Sequence, residues 1–225
     1  MSTNLAEKTL GIIHASVITT RAVQPFIDQY LPEVSIMHLV DDTIQRDNIR
    51  AGVGVIPKVN YFKFAQYAHN LEEAGVDMIL LACSTFNFAA ELARPMVNTP
   101  IMQIDRTMME TAVRHSKRIG MLATLNTTVP SSERLLQICA REAGKEVEIK
   151  TILCEEAFRV LQKGDVETHN AMLLEQIEVL SKEVDSIVMA QLSMSALAPF
   201  LKDTRVPVYN SGSTTFPKIR ETLSA

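Results

Sequence analysis

Residues 72–105, EEAGVDMILLACSTFNFAAELARPMVNTPIMQID, and residues 181–212, SKEVDSIVMAQLSMSALAPFLKDTRVPVYNSG, match element by element. Each starts at the end of a helical stretch and passes through a Val-Asp pair, Val76-Asp77 or Val184-Asp185. A short apolar run follows, then a polar turn, a short helix and a second run opened by Pro100 or Pro207. Apolar runs of this length, bounded by turn residues, read as fully buried strands. Strands alternating with helices imply a parallel sheet covered on both faces. The duplication therefore predicts an α/β protein of two pseudo-symmetric lobes, each a mainly parallel sheet flanked by helices. The active site is expected in the cleft between them, because ligands bind outside the carboxyl ends of such strands.

Working outward, strands are expected at 9–15, 34–40, 76–83 and 99–104, and again at 118–124, 145–153, 184–191 and 206–210. Residues 56–75 carry apolar side chains at 59, 62, 64, 65, 68 and 71, a helical period closed by Gly75. Further helices are expected at 85–94, 105–115, 129–144, 166–183 and 213–223. Pro130 suits the first turn of the third of these and Gly144 its end. The expected lobes are 1–103 plus 211–225, and 104–210.

The 225 residues are 47% apolar and 21% charged, with a formal net charge of −4. That excludes the basic footprint of a nucleic-acid binder, and with no Trp and 5% aromatics there is little to stack bases on. The apolar runs fall well short of the ~20 residues that span a bilayer. The first residues lack a basic stretch followed by an apolar one, and three cysteines without paired spacing do not make a disulfide framework. A cytoplasmic protein is expected. No Cys/His cluster has metal-ligand spacing and no phosphate-binding glycine loop is present.

Cys83 stands where the apolar run MILLA turns polar, followed by Ser84 and Thr85. A thiol there would feel the start of the next helix and nearby N–H groups, which favour thiolate and lower the pKa below its usual value of about 8.5. A buried packing thiol is the other reading. Ser84 and Thr85 could hold a carboxylate or cap the helix. Thr124, Thr127 and Thr128 in ATLNTTVPSS, and the NSGST turn at 210–214, are further hydroxyl-rich strand ends. Together they suit a small acid. His14 and Asp42 end the first two strands and could line the cleft, or be a satisfied core histidine and a cap. Cys139 reads as core, and Cys154 ends a strand before Glu155-Glu156.

The pieces GIIHAS, ACSTFN, IGMLATLNTT and IVMAQLSM resemble the aspartate/glutamate/hydantoin racemase superfamily over essentially the whole chain. The resemblance implies two α/β lobes around a small acid and no cofactor. It also implies one thiol per lobe acting on opposite faces of one carbon. Cys83 matches the first thiol. The second falls at Gln191, followed by Leu192 and Ser193, so the second catalytic cysteine is replaced. The expected machinery is Cys83, Gln191 and Ser193, with Ser84, Thr85, Thr127, Thr128, His14 and Asp42 binding a small carboxylate or amino-acid derivative. An isomerase is expected, with a lyase (decarboxylase) or hydrolase on the same pocket, or a non-catalytic small-acid binder, as alternatives. Homo-oligomers are expected by family analogy.

Overall fold

A computed structural model describes residues 4–225. Eight strands form two four-stranded parallel sheets. The first holds β1 (Thr9–His14), β2 (Ser35–Val40), β3 (Met78–Leu81) and β4 (Ile101–Gln103) in the order β2-β1-β3-β4. The second holds β5 (Arg118–Ala123), β6 (Glu148–Leu153), β7 (Ser186–Met189) and β8 (Val208–Asn210) in the order β6-β5-β7-β8. The helices are α1 (Ile18–Tyr30), α2 (Asp42–Ala51), α3 (Lys58–Glu73), α4 (Phe88–Ala93), α5 (Arg106–His115), α6 (Val129–Glu142), α7 (Glu155–Gln162), α8 (Val166–Ser181) and α9 (Ser211–Ser224).

The same interactions recur in both lobes. Asp77 accepts the Thr9 N–H at 2.8 Å and pairs with Lys8 at 2.7 Å. Asp185 accepts the Arg118 N–H at 2.8 Å and pairs with the Arg118 guanidinium at 2.7 Å. These aspartates, the ones after the two matching valines, clamp the amino ends of β3 and β7 to β1 and β5. Gly11 and Gly120 sit third in β1 and β5. A Cβ on Gly11 would lie 2.8 Å from Leu71 of α3, and one on Gly120 would lie 3.4 Å from Leu180 of α8 and 3.2 Å from Val184 just after it. The covering elements thus seat directly on each central strand.

Both sheets reverse winding direction between their two central strands, β1/β3 and β5/β7. Crevices form at the carboxyl side of such switch points. The residues just past these strand ends are Ala15 and Cys83 in one lobe, Thr124 and Gln191 in the other.

Four apolar clusters fill the two faces of the two sheets. Phe216, Ile219 and Leu223 of α9 join Leu10, Ile12, Val23 and Ile27 against the first sheet, so the chain's last helix returns to the first lobe. Leu192, from the 3-10 segment Leu192–Phe200, is in the same cluster. The turn after β7 is therefore packed against the first lobe.

Several expected boundaries are corrected. The 76–83 strand contracts to β3, and the 145–153 and 206–210 strands begin at β6 and β8. The single helix at 85–94 is a 3-10 turn (Ser84–Phe86) followed by α4. The last helix starts at Ser211, so the NSGST hydroxyls sit in its opening turn, where the Asn210 side chain accepts the Ser213 N–H at 2.8 Å. Helices α1, α2 and α7 were not expected at all.

Candidate active site

Cys83 ends the β3 segment in extended conformation and the 3-10 turn Ser84–Phe86 follows it. The backbone N–H groups of Phe86 and Thr85 lie near its sulfur, and the Phe86 N–H donates to the Cys83 carbonyl at 3.2 Å. A three-residue 3-10 turn has little dipole, and protein atoms pack around the sulfur although the residue keeps some exposure. Burial pushes the thiol up to about 12, the two N–H groups pull it back, and the Asp105 carboxylate adds to the rise. This corrects the expected lowering: desolvation of the charged form outweighs the N–H donors. The resting group is a thiol.

Asp105, which sequence reasoning missed, is wholly buried just past β4. Its carboxylate accepts Ser211 Oγ at 2.5 Å and Asn87 Nδ2 at 3.0 Å, with the Ser84 hydroxyl as a further donor. Burial raises its pKa and these three donors oppose the rise. Asn87 Nδ2 also donates to the Ser84 carbonyl at 2.8 Å, while the buried Asn87 Oδ1 has no partner. The Cys83 turn is thus braced from below by Asp105. The visible signal for it was a lone acid immediately after an apolar strand, the position at which Cys83 itself was noticed.

Gln191 occupies the equivalent place after β7 and is 7% exposed. Its Oε1 accepts both the N–H and the hydroxyl of Thr124, at 2.6 and 2.8 Å. The side chain bridges the second switch point and leaves its amide nitrogen uncommitted among the described residues. The remaining expected residues divide. Thr85 Oγ1 meets Thr128 Oγ1 at 3.0 Å, a hydrogen bond from one lobe to the other. Thr85 and Thr127 line a cavity of ≈ 140 Å³ beside this contact, with Gly54, Ile56, Tyr61, Phe86, Phe88, Pro130, Ser131 and Arg134. That is close to the ~150 Å³ that accommodates a benzene-sized molecule. Cys83 is not on this wall, but Thr85 and Phe86 of the turn after it are. Ser84 is buried, its hydroxyl turned to Asp105, so it neither caps a helix nor faces the cavity. Ser193 is exposed and stands off the cavity wall.

His14 is fully buried and both ring nitrogens are engaged: Nδ1 with Thr19 Oγ1 at 2.8 Å, Nε2 with His38 Nδ1 at 2.9 Å. Asp42 is exposed on the first turn of α2. Its neighbour Asp41 makes the contacts instead, accepting the Thr43 N–H at 3.0 Å and the Tyr67 hydroxyl at 2.7 Å. Cys154 ends β6 against the cluster of Leu173 and Ile177, and Cys139 is buried in α6. Among the described residues no cluster of His, Cys, Asp and Glu could hold a metal, and no helix is long and apolar enough to cross a membrane. A wider, open groove lies at the amino ends of β5 and β6, lined by Lys117, Arg118, Arg141 and Glu148. Strand-end geometry places ligands at the opposite side.

The sequence of this chain matches the Asp/Glu/Hydantoin racemase family over residues 10–217. It is 22% identical over 206 residues to a glutamate racemase of Trichodesmium erythraeum, covering 90% of this chain and 73% of that one. It is 28% identical over 155 residues to a hydantoin racemase of Rhizobium meliloti, covering 68% and 62%. Its fold is similar to an aspartate racemase homologue from Pyrococcus horikoshii (TM-score 0.74, 19% identity, 97% of this chain and 100% of that one). It is also similar to an aspartate racemase from Picrophilus torridus (TM-score 0.70, 18% identity, 96% and 94%). With two like-wound sheets and a match spanning nearly its whole length, the chain belongs to the Asp/Glu/hydantoin racemase family of isomerases.

Proposed function

We propose that the chain is a cofactor-independent racemase or isomerase of a small carboxylate or amino-acid derivative, working through the Cys83 thiolate. The observation that carries this reading is the placement of Cys83. It is a thiol at a switch point, with two backbone N–H groups near its sulfur, next to the turn that lines an inter-lobe cavity of small-molecule size. In the productive step the thiolate takes the proton from the carbon next to the carboxylate. The C–H bond breaks, an S–H bond forms, and the electron pair moves into the carboxylate oxygens. Hydroxyls of Thr85, Thr127 and Thr128 offer preorganised donors for that developing charge.

The opposite lobe presents Gln191, which does not titrate near neutrality. On this reading the second catalytic cysteine is replaced, Gln191 orients the substrate through its amide N–H, and the proton returned to the other face comes from water. With the thiol near 12, on the order of one molecule in 10⁵ carries thiolate at pH 7. A substrate ammonium next to the sulfur favours ionisation, since an opposite charge stabilises the charged form.

Chiral chromatography of aspartate, glutamate, a 5-substituted hydantoin and an aryl malonate, with maleate followed by its absorbance, tests the reading. One substrate should convert with wild type and not with Cys83→Ala, and the rate should rise about tenfold per pH unit from 6 to 8 as the thiolate fraction grows. If none converts while a panel member binds both proteins equally, the pocket is a non-catalytic binder and the proposal is wrong.

A further inference from the structure

The cavity has one permanent cation and no acid on its wall. Arg134, on α6 of the second lobe, lines it together with the hydroxyls of Thr85, Thr127 and Ser131 and the Tyr61 phenol. Its guanidinium carbon lies 3.7 Å above the ring of Phe88, on α4 of the first lobe. Among the described residues it pairs with no carboxylate. Other arginines are either committed to carboxylates or, like Arg21, Arg50, Arg114, Arg141 and Arg205, lie away from this cavity. Arg106 meets Glu91, Glu110 and Glu142, Arg94 meets Glu91, and Arg220 meets Glu33. An arginine whose face is held on an aromatic ring keeps its edge donors free, in a planar fork that matches a carboxylate. Phe88 is itself positioned, edge-on to Tyr61 at 6.1 Å. The Thr85–Thr128 bond ties the same two lobes together beside it.

We infer that Arg134 is the specificity-determining residue of the cleft: it receives a second carboxylate of the substrate and selects a diacid over a monoacid, an amide or a neutral cyclic ureide. The inference rests on the proposed placement of substrate in this cavity. The donors split accordingly. Hydroxyls near the Cys83 turn serve the carboxylate whose neighbouring carbon reacts, and Arg134 takes the distal one. Because the guanidinium comes from one lobe and the ring that holds it from the other, the distal anchor is complete only with the lobes together.

The test is binding, so it is independent of turnover. Calorimetry on the full chain carrying Cys83→Ala compares aspartate with asparagine and glutamate with glutamine, pairs that differ by one charged group. Arg134 is exposed, so the intact protein is expected to favour a diacid over its amide by about tenfold, the scale of a well-oriented bidentate pair that solvent still screens. Arg134→Met should erase the preference with the amide's affinity unchanged. Arg134→Lys should keep its direction at weaker affinity, and serves if the methionine variant does not fold. Equal losses for diacid and amide, absence of a preference in the Arg134-intact protein, or failure of both diacids to bind would each overturn the inference. Absence of turnover in the protein that retains Cys83, with the binding preference intact, would count against the Cys83 reading alone.

Discussion

Lowering the pH from 7 to 4 tests the reading of His14. Thr19 Oγ1 donates to the Ser16 carbonyl at 2.7 Å, so it accepts from the His14 Nδ1–H. His14 Nε2 is left as a lone pair accepting from His38 Nδ1. A proton on His14 Nε2 would point at a donor. Burial first, and His38 second, lower its pKa from 6.5 to about 4. The unfolded chain takes up this proton near 6.5 and the folded chain does not until about 4. The neutral form's contribution is thus complete above 6.5 and is lost as pH falls across that window. At about 1.4 kcal/mol per pH unit, the loss is roughly 3 kcal/mol, or about 1 M in urea midpoint. Other groups titrate nearby: Asp41 and Asp77 are lowered and lose stability in the same direction, while Asp105 is raised and opposes them. Urea unfolding at half-unit pH steps on wild type and His14→Gln cancels those shared contributions. The two stability curves should converge by roughly 3 kcal/mol between pH 6.5 and 4. Parallel curves, or a ¹⁵N-detected His14 imidazolium at pH 5.5, would refute the reasoning.

Three further outcomes follow from the packing and the site. Gly212→Ala would place a Cβ 2.2 Å from the Phe26 ring, which stacks on Phe216 at 5.7 Å. A cost of about 2 kcal/mol or more is expected from overpacking, seen as a Tm drop of several degrees; an unchanged Tm contradicts the seating of α9. Gln191→Cys gives up two hydrogen bonds to Thr124 and supplies a second titratable group. Racemisation of whichever substrate wild type converts should rise about tenfold or more, and an unchanged rate would show that this position does not face the reacting carbon. Cys83 ionises at about 12, so iodoacetamide should modify it only slowly at pH 8. Complete labelling within minutes, located by peptide mapping, would mean the site is wetter than described.

What could be read in advance followed the physics of burial. The strands were legible because β3 and β7 are wholly buried, which forces continuous apolar runs. Helices α3, α6 and α8 were legible because each buries three or more side chains at helical spacing. Helix α1 buries only Val23 and Ile27 and carries Pro25, α2 buries only Ile44 and Asn48, and α7 buries only Ala157. Their apolar faces exist but stay mostly uncovered, and α2 and α7 are only 10 and 8 residues long, so no long stripe stood out. Cys83 and Gln191 were found through the duplication, which works at strand ends. The partners that shape their surroundings lie elsewhere in the chain: Asp105 beneath the Cys83 turn, and Arg134 reaching from the second lobe to Phe88. Such neighbours come from topology, and no local pattern announces them. The direction of the Cys83 shift was missed for the same reason, since the local N–H groups are visible in the sequence and the desolvating shell is not.

The most direct measurement is deuterium incorporation next to the carboxylate of aspartate and glutamate in D₂O, followed by NMR. It would compare wild type with Cys83→Ala, Cys139→Ala and Cys154→Ala. The account predicts incorporation with wild type and with the last two variants, and a loss of at least about a thousandfold with Cys83→Ala. Incorporation that persists in Cys83→Ala would contradict the assignment of this thiol as the group that moves the proton.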